Sequence, residues 1–161
     1  MTDDLTLTPL APGDAGWVIE RHGALYAVEE GYDARFEALV ARILADFLER
    51  GDATGERGFI ARAGGQRLGA VFVMREDAVT ARLRLFLLEP AARGRGLGRR
   101  MLAAAMDFAR AAGYARMVLW THESHRAACA LYEAAGWQLT SRRAGEAFGQ
   151  DVVDLDYEIA L

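Results

Sequence analysis

Cysteine is nearly absent from this chain: Cys129 is the only one in 161 residues. No internal disulfide can form and no cysteine-rich metal site can assemble, which suits a reducing compartment and makes Cys129 a small buried apolar residue. Long apolar runs are also missing. No stretch approaches the roughly 18 residues that a membrane span needs, and no membrane partner is expected. The opening Met1-Thr2-Asp3-Asp4 carries acids where a secretory signal needs a basic end and an apolar run, so the expected location is cytoplasmic. Nor is there an excess of positive charge. Nineteen Lys and Arg face 23 Asp and Glu, a net of −4 with the basic residues scattered, so no nucleic-acid partner is indicated. Finally, no segment is rich enough in Pro, Gly or Ser to serve as a linker, and no repeat recurs at a fixed period.

What remains is a globular balance of 52% hydrophobic and 26% charged residues, long enough for one domain with a real core. A strand is expected over residues 5–10. Asp14 is then expected to cap a helix with Trp17, Arg21, Ala24, Leu25 and Val28 on one face, ending near Gly31. Asp33 caps a second helix carrying Phe36, Leu39, Val40, Ile43, Leu44 and Phe47, stopped by Gly51. Residues 58–62, 68–74 and 82–88 read as an antiparallel meander, with Gly64-Gly65 as the clearest turn. A helix over 97–112 closed by Gly113, a strand over 117–120 and a helix over 125–135 closed by Gly136 follow. Strands over 137–141 and 152–159 complete the chain. The fold class predicted is α/β (α+β), with a mixed, mostly antiparallel sheet of six or seven strands and about four helices.

The most informative stretch is LFLLEPAARGRGLGRRMLAAA, where an apolar strand runs through a Pro and an Arg/Gly-rich loop into a helix. Arg93, Gly94, Arg95, Gly96, Leu97 and Gly98 would turn successive backbone N–H groups toward one point at a helix N-terminus, where unpaired donors and the helix dipole favour an anion. A Walker-type loop needs Lys and Ser/Thr after its last Gly, whereas Arg99-Arg100 follow Gly98. A dinucleotide fingerprint needs G-x-G-x-x-G, whereas the sixth position counted from Gly94 is Arg99. Taken alone, the loop also fits a plain surface turn at a helix start.

Its context resembles the GCN5-related N-acetyltransferases, whose signature is Arg or Gln, two residues, Gly, one residue, then Gly or Ala. Arg93-Gly94-Arg95-Gly96-Leu97-Gly98 matches it after a strand ending Leu88-Glu89-Pro90. Downstream, Ala128-Cys129-Ala130-Leu131-Tyr132-Glu133-Ala134-Ala135-Gly136-Trp137 resembles the family's A-x-x-L-Y-x-x-x-G-F element, with Trp137 in place of Phe. The resemblance is close over residues 80–140 and diffuse elsewhere. The N-terminal RHGALYAVEEGYDARFEALVARILADF is similar to acetyltransferase domains fused behind MarR-type regulators, although this sequence contains no such DNA-binding segment.

The resemblance implies an acetyl-CoA-dependent N-acetyltransferase acting on a primary amine, preferably of a small molecule, without a metal. It places the pyrophosphate of CoA on the amides of residues 93–98 and on Arg99, and the pantetheine along the strand end at Leu87 and Leu88. The N–H near Leu88 becomes the oxyanion donor, and transfer is direct, with Cys129 not required as nucleophile. Tyr132 matches the tyrosine that protonates the departing thiolate. His125 stands where the family usually has Asn, and is carried as a cofactor contact. The first two helices border the acceptor site in this family, which makes His22, Tyr26, Glu29 and Glu30 candidates there. Glu89 and His122, at the ends of neighbouring strands, are candidates for catalysis and acceptor binding, with Glu123 beside them. The acids Glu29, Glu30, Asp33 and Glu37 lean toward a cationic acceptor. A non-catalytic acyl-CoA sensor is the rival reading, a DNA-binding module is a distant third, and a homodimer is implied by resemblance alone.

Overall fold

The computed structural model describes residues 4–161; the acidic opening at residues 1–3 lies outside them. The elements are β1 (Thr6–Thr8), α1 (Asp14–Glu30), α2 (Ala34–Arg50), β2 (Arg57–Ala63), β3 (Gln66–Arg75), β4 (Thr80–Leu88), a 3-10 turn (Pro90–Ala92), α3 (Leu97–Ala111), β5 (Arg116–His122), α4 (Arg126–Ala134), β6 (Gln138–Ala147) and β7 (Gln150–Ala160). They form one seven-stranded sheet in the order β1-β2-β3-β4-β5-β7-β6. Every neighbouring pair is antiparallel except β4 and β5. The order of elements is the expected one, and so is the mixed sheet flanked by four helices. Among the described residues no helix is long and apolar enough to cross a membrane.

Strand alternation distributes the core to both faces of the sheet. Ala70, Phe72 and Met74 of β3 pack with Val18, Val40 and Leu44 of α1 and α2. Val71 and Val73 face the other way and pack with Met101, Leu102 and Ala105 of α3 and with Cys129 and Tyr132 of α4. Cys129 is buried, as its apolar reading required.

Several local expectations change. The buried stripe of α1 is Asp14, Val18, His22 and Leu25, while Val28 is 86% exposed. The deciding residue is Asp14, which is the first helical residue and not the cap; that position belongs to Gly13, at φ 95°. The Asp14 carboxylate is fully buried and accepts from the Ala11 N–H at 2.8 Å, from Arg62 Nη2 at 2.6 Å and from Arg67 Nε at 2.8 Å. Burial alone would raise its pKa, but the Ala11 amide and the two guanidiniums hold it below the usual range. This rotates α1 so that Trp17 and Arg21 lie at the edge of the interface. Asp33 does cap α2, accepting from the Arg35 N–H at 3.0 Å.

At the other edge β6 is twice the expected length. Its exposed Arg142-Arg143-Ala144-Gly145 segment has no apolar alternation, and its strand form comes from pairing with β7. The connecting turn, Phe148 at φ 53° and Gly149 at φ 81°, is left-handed at both positions, the geometry of a tight hairpin turn. A Phe is unusual there. Its ring is compensated by packing on Tyr32 and Phe36, with centroids 5.2 and 5.1 Å away. The hairpin tip also receives the Asp33 N–H on the Phe148 carbonyl at 3.0 Å and donates from Gln150 Nε2 to the Gly31 carbonyl at 3.0 Å, tying β6–β7 to the α1–α2 junction.

Asp14→Asn should destabilise the fold by about 2 kcal/mol, a buried-pair penalty reduced because the two guanidiniums remain partly solvated. Urea unfolding measures it; an unchanged midpoint would remove Asp14 from this role.

Candidate active site

The two parallel strands at the centre of the sheet hold together only briefly. Thr80, Ala81 and Arg82 of β4 pair with Arg116, Met117 and Val118 of β5, and beyond these three positions the strands part. A bulge falls where β4 leaves its neighbour. Opposite β3 the register moves from Phe72↔Arg84 to Ala70↔Leu87, so Leu85 and Phe86 together face one residue, and Leu85 sits at φ 52°. Bulges of this kind bend a strand and increase its twist. A left-handed non-glycine residue costs on the order of 1–3 kcal/mol and persists because its surroundings hold it.

Two cavities meet in the opening. One, of about 490 Å³, is lined by Leu87 and Leu88 of β4, by Arg93, Gly94, Gly96, Gly98 and Arg99 at the start of α3, and by Glu29, Glu30 and the first turn of α4. The other, of about 510 Å³, lies under α1 and α2 and contains His22, Tyr32, Arg84, His122 and Tyr132. Tyr26, Phe86, His125 and Ala128 border both. Most of the expected site residues are thus brought together. Leu97 is buried beneath α3, and Arg95 lines neither cavity.

The first cavity is built from backbone. Gly96, at φ 78°, is the N-cap of α3 and offers no side-chain cap. The first helical bond runs from the Arg100 N–H to the Gly96 carbonyl at 3.2 Å, so the amides of Leu97, Gly98 and Arg99 precede it. A Cβ built on Gly94 or Gly96 would meet no atom within 4 Å, so the loop can be approached down to the backbone. On β4 the Glu89 N–H donates to the Leu68 carbonyl at 2.8 Å, which by alternation turns the N–H and carbonyl of Leu88 away from β3. Arg93 Nε donates to that Leu88 carbonyl at 3.2 Å, and its Nη1 pairs with Glu29 at 2.7 Å. Glu89 is engaged elsewhere: Arg21 grips both its oxygens, at 2.5 and 3.1 Å, and it lines neither cavity.

The second cavity is aromatic and holds all three histidines. His22 stacks on Tyr26 at 5.7 Å, Tyr26 on Tyr32 at 5.9 Å, and Phe36 closes the group 4.8 Å from Tyr26. The buried His22 keeps its proton on Nδ1, since its partner at 2.8 Å is the Val18 carbonyl, which can only accept. Burial lowers the His22 pKa to about 4. His125 is also lowered to about 4, by burial and then by its neighbour His122. The Tyr32 hydroxyl lies between these two, bonded to His122 Nδ1 and 3.4 Å from His125 Nε2. His122 is lowered mainly by burial, and Asp154 and Glu30 pull it back. Asp154 Oδ1 lies 3.1 Å from the buried His122 Nε2, off the line of a hydrogen bond, and becomes a charge partner when the ring is protonated.

Burial pushes the Tyr26 hydroxyl up to about 12, and that of Tyr132 higher still. Tyr132 is packed by Phe86, Trp137 and Tyr157, and its hydroxyl has no hydrogen-bond partner among the described residues. Sequence reasoning missed Tyr32, Thr121 and Arg84. Tyr32 follows the glycine that ends α1 and so belongs to no periodic pattern, whereas Arg84 had a visible signal in the alternation Arg82-Leu83-Arg84-Leu85. Among the described residues no cluster of three or more His, Cys, Asp or Glu side chains is placed to hold a metal ion.

Known proteins share the family and the fold. The model of the Acetyltransferase (GNAT) family matches residues 20–137. A mycothiol acetyltransferase from Beutenbergia cavernae is 36% identical over 73 residues, which are 45% of this chain and 25% of that protein, so the match spans about a quarter of the relative's length. Among solved structures, a spermidine N-acetyltransferase from Vibrio cholerae in complex with CoA and spermine superposes with a TM-score of 0.76 at 18% identity, over 97% of this chain and 95% of that one. A phosphinothricin acetyltransferase from Sinorhizobium meliloti in complex with AcCoA gives 0.78 at 19% identity, over 98% and 88%. At these identities the structural matches carry the fold.

The buried neutral histidines make stability depend on mildly acidic pH. A folded pKa near 4 against about 6.5 unfolded means the unfolded chain binds more protons between these values, so stability falls as pH drops through that window. The urea midpoint should decline from pH 6.5 toward pH 4.5, and less steeply in His22→Phe, which keeps the ring stack. Equal slopes would show that His22 is not held neutral.

Proposed function

The chain belongs to the GNAT acetyltransferase family, and from that premise we propose that it transfers the acetyl group of acetyl-CoA directly to a primary amine of a small molecule. The observation that carries this reading is the meeting of two cavities at parted strands, one lined by backbone donors and the other by aromatic and imidazole groups. Acetyl-CoA fits the first: unpaired amides at the start of α3 suit a pyrophosphate, and the outward polar groups of β4 suit an extended pantetheine. When bound it supplies the acetyl group as a thioester open to attack by an amine. A cavity of about 510 Å³ is the size of a small-molecule site, which favours such an acceptor over a protein.

The chain's own groups then divide the work. The Leu88 N–H, turned away from β3, donates to the carbonyl oxygen as negative charge develops there, an interaction of the kind that lowers a barrier by roughly 3 kcal/mol. Tyr132 Oη holds a proton throughout the physiological range, because burial raises its pKa, and releases it to the departing sulfur. The same dry surroundings raise the basicity of a thiolate, which keeps this transfer from being steeply uphill. The Tyr32 hydroxyl, which faces the second cavity, takes the amine's proton as it gives its own to His122 Nδ1, the ring nitrogen it is bonded to, and the Asp154 carboxylate 3.1 Å from Nε2 stabilises the resulting imidazolium. Glu89, gripped by Arg21, acts by fixing the end of β4 against α1. His125 stands at the junction of the two cavities, in contact with both ligands.

Release of free CoA on mixing the protein and acetyl-CoA with a panel of amines tests this reading. Amine-dependent release is expected, and Tyr132→Phe should lower it about 10²-fold with acetyl-CoA affinity unchanged. Binding without release for any amine would favour an acyl-CoA sensor, and undiminished turnover in the variant would remove Tyr132 from the mechanism.

A further inference from the structure

Arg84 is a cation without a counter-ion in a protein that otherwise neutralises its shielded arginines. Among the described residues Arg21, Arg62, Arg67 and Arg82 are also partly buried, and each has a carboxylate within 3 Å: Glu89, Asp14, Asp14 and Glu76. Among the described residues Arg84 has neither an ion pair nor a hydrogen bond. Burial lowers its pKa, and Arg82 and Arg50 add to that, with only Glu76 opposing them. Every acid around it is committed elsewhere or out of reach. Glu76 pairs with Arg82 and Asp156 with Arg143, Glu56 is held by Arg50 and the Arg75 amide, and Asp46 is exposed and makes no ion pair with Arg84. A guanidinium shielded from water with no partner carries a desolvation cost that an anionic group would offset.

Its place makes the missing partner a ligand. Arg84 lines the acceptor cavity on the α1–α2 side of the sheet, at the border with a smaller cavity of about 340 Å³. The geometry points to an acceptor that is an amino acid in the broad sense, a primary amine whose carboxylate is held by the planar fork of Arg84. This rests on the acetyltransferase reading above and names the substrate class of that same site. At about 3.3 Å per residue, the four-residue step from Arg84 to Leu88 is at most roughly 13 Å along β4 and shorter for the bulge at Leu85 and Phe86, and the arginine side chain reaches about half of that. The carboxylate is therefore separated from the amine by several bonds, as in an ω-amino acid, and does not sit on the adjacent carbon. Of the four acids behind the expectation of a cationic acceptor, Glu29 and Asp33 are neutralised by Arg93 and Arg35, whereas Glu30, which borders the first cavity, and Glu37 have no arginine partner among the described residues, so the amine end of the acceptor keeps its acidic surroundings and Arg84 adds the anionic end.

The test compares a series of ω-amino acids from glycine to 6-aminohexanoate with alkylamines of the same length, in wild type, Arg84→Gln and Arg84→Lys. Wild type should prefer a longer amino acid to its alkylamine by at least about tenfold in kcat/KM. Arg84→Gln should raise KM for the amino acid about 10- to 100-fold, the range of a charged hydrogen bond, leaving the alkylamine unchanged, and Arg84→Lys should recover part of the loss. An equal effect on both amines, or a wild-type preference for the alkylamine, would overturn the inference. Calorimetric binding of N-acetyl-6-aminohexanoate against N-acetylhexylamine at saturating CoA reads the same contact without turnover. Arg84-dependent preference for the carboxylate with no CoA release from any amine would keep the anion site and reject the transferase reading, whereas equal binding of the two would reject the anion site.

Discussion

Everything at the site depends on the early parting of β4 and β5. Two parallel strands at the middle of a sheet ordinarily pair along their length, because an unpaired edge leaves backbone donors and acceptors without partners. Here three residue pairs are made and the rest forgone. The separation is held from both sides. β5 is paired with β7 over seven positions, which prevents it from following β4, while the bulge at Leu85 and Phe86 turns β4 away. The result is an exposed stretch of strand inside the protein, opposite a helix N-terminus whose first amides are also unpaired. Such a combination suits an extended ligand with a phosphate at one end, recognised through backbone groups that glycines leave open to approach.

The second cavity uses the opposite strategy, filling the space with rings. His22, Tyr26, Tyr32, Phe36 and Phe148 form one connected set of contacts that joins α1, α2 and the β6–β7 turn. Burial of this kind keeps His22 and His125 neutral. It also makes the cavity wall depend on a hairpin whose turn carries a Phe in a conformation that only packing sustains. Arginine pairing completes the scheme: among the described residues carboxylates neutralise the other shielded guanidiniums, and Arg84 opens unpaired onto the second cavity.

Much of this was legible in the sequence, for identifiable reasons. The helix α2 followed from its apolar spacing and the Asp33 cap, and the loop into α3 followed from its glycines because conformation there is a local property. What failed was non-local. The burial stripe of α1 depends on Arg62 and Arg67, some fifty residues downstream, meeting Asp14. The length of β6 depends on its partner strand. The bulge at Leu85 has no marker such as Gly, and Tyr32 enters the site only because the chain turns back at Gly31. Glu89 looked free at the end of a strand until α1 supplied Arg21.

Hydrogen exchange with and without saturating acetyl-CoA tests the central claim most directly, since that claim concerns particular backbone amides. Slowed exchange at residues 88 and 96–99, with little change along β2 or β6, is the result the account predicts. Protection confined to other segments, or none at saturation, would contradict it.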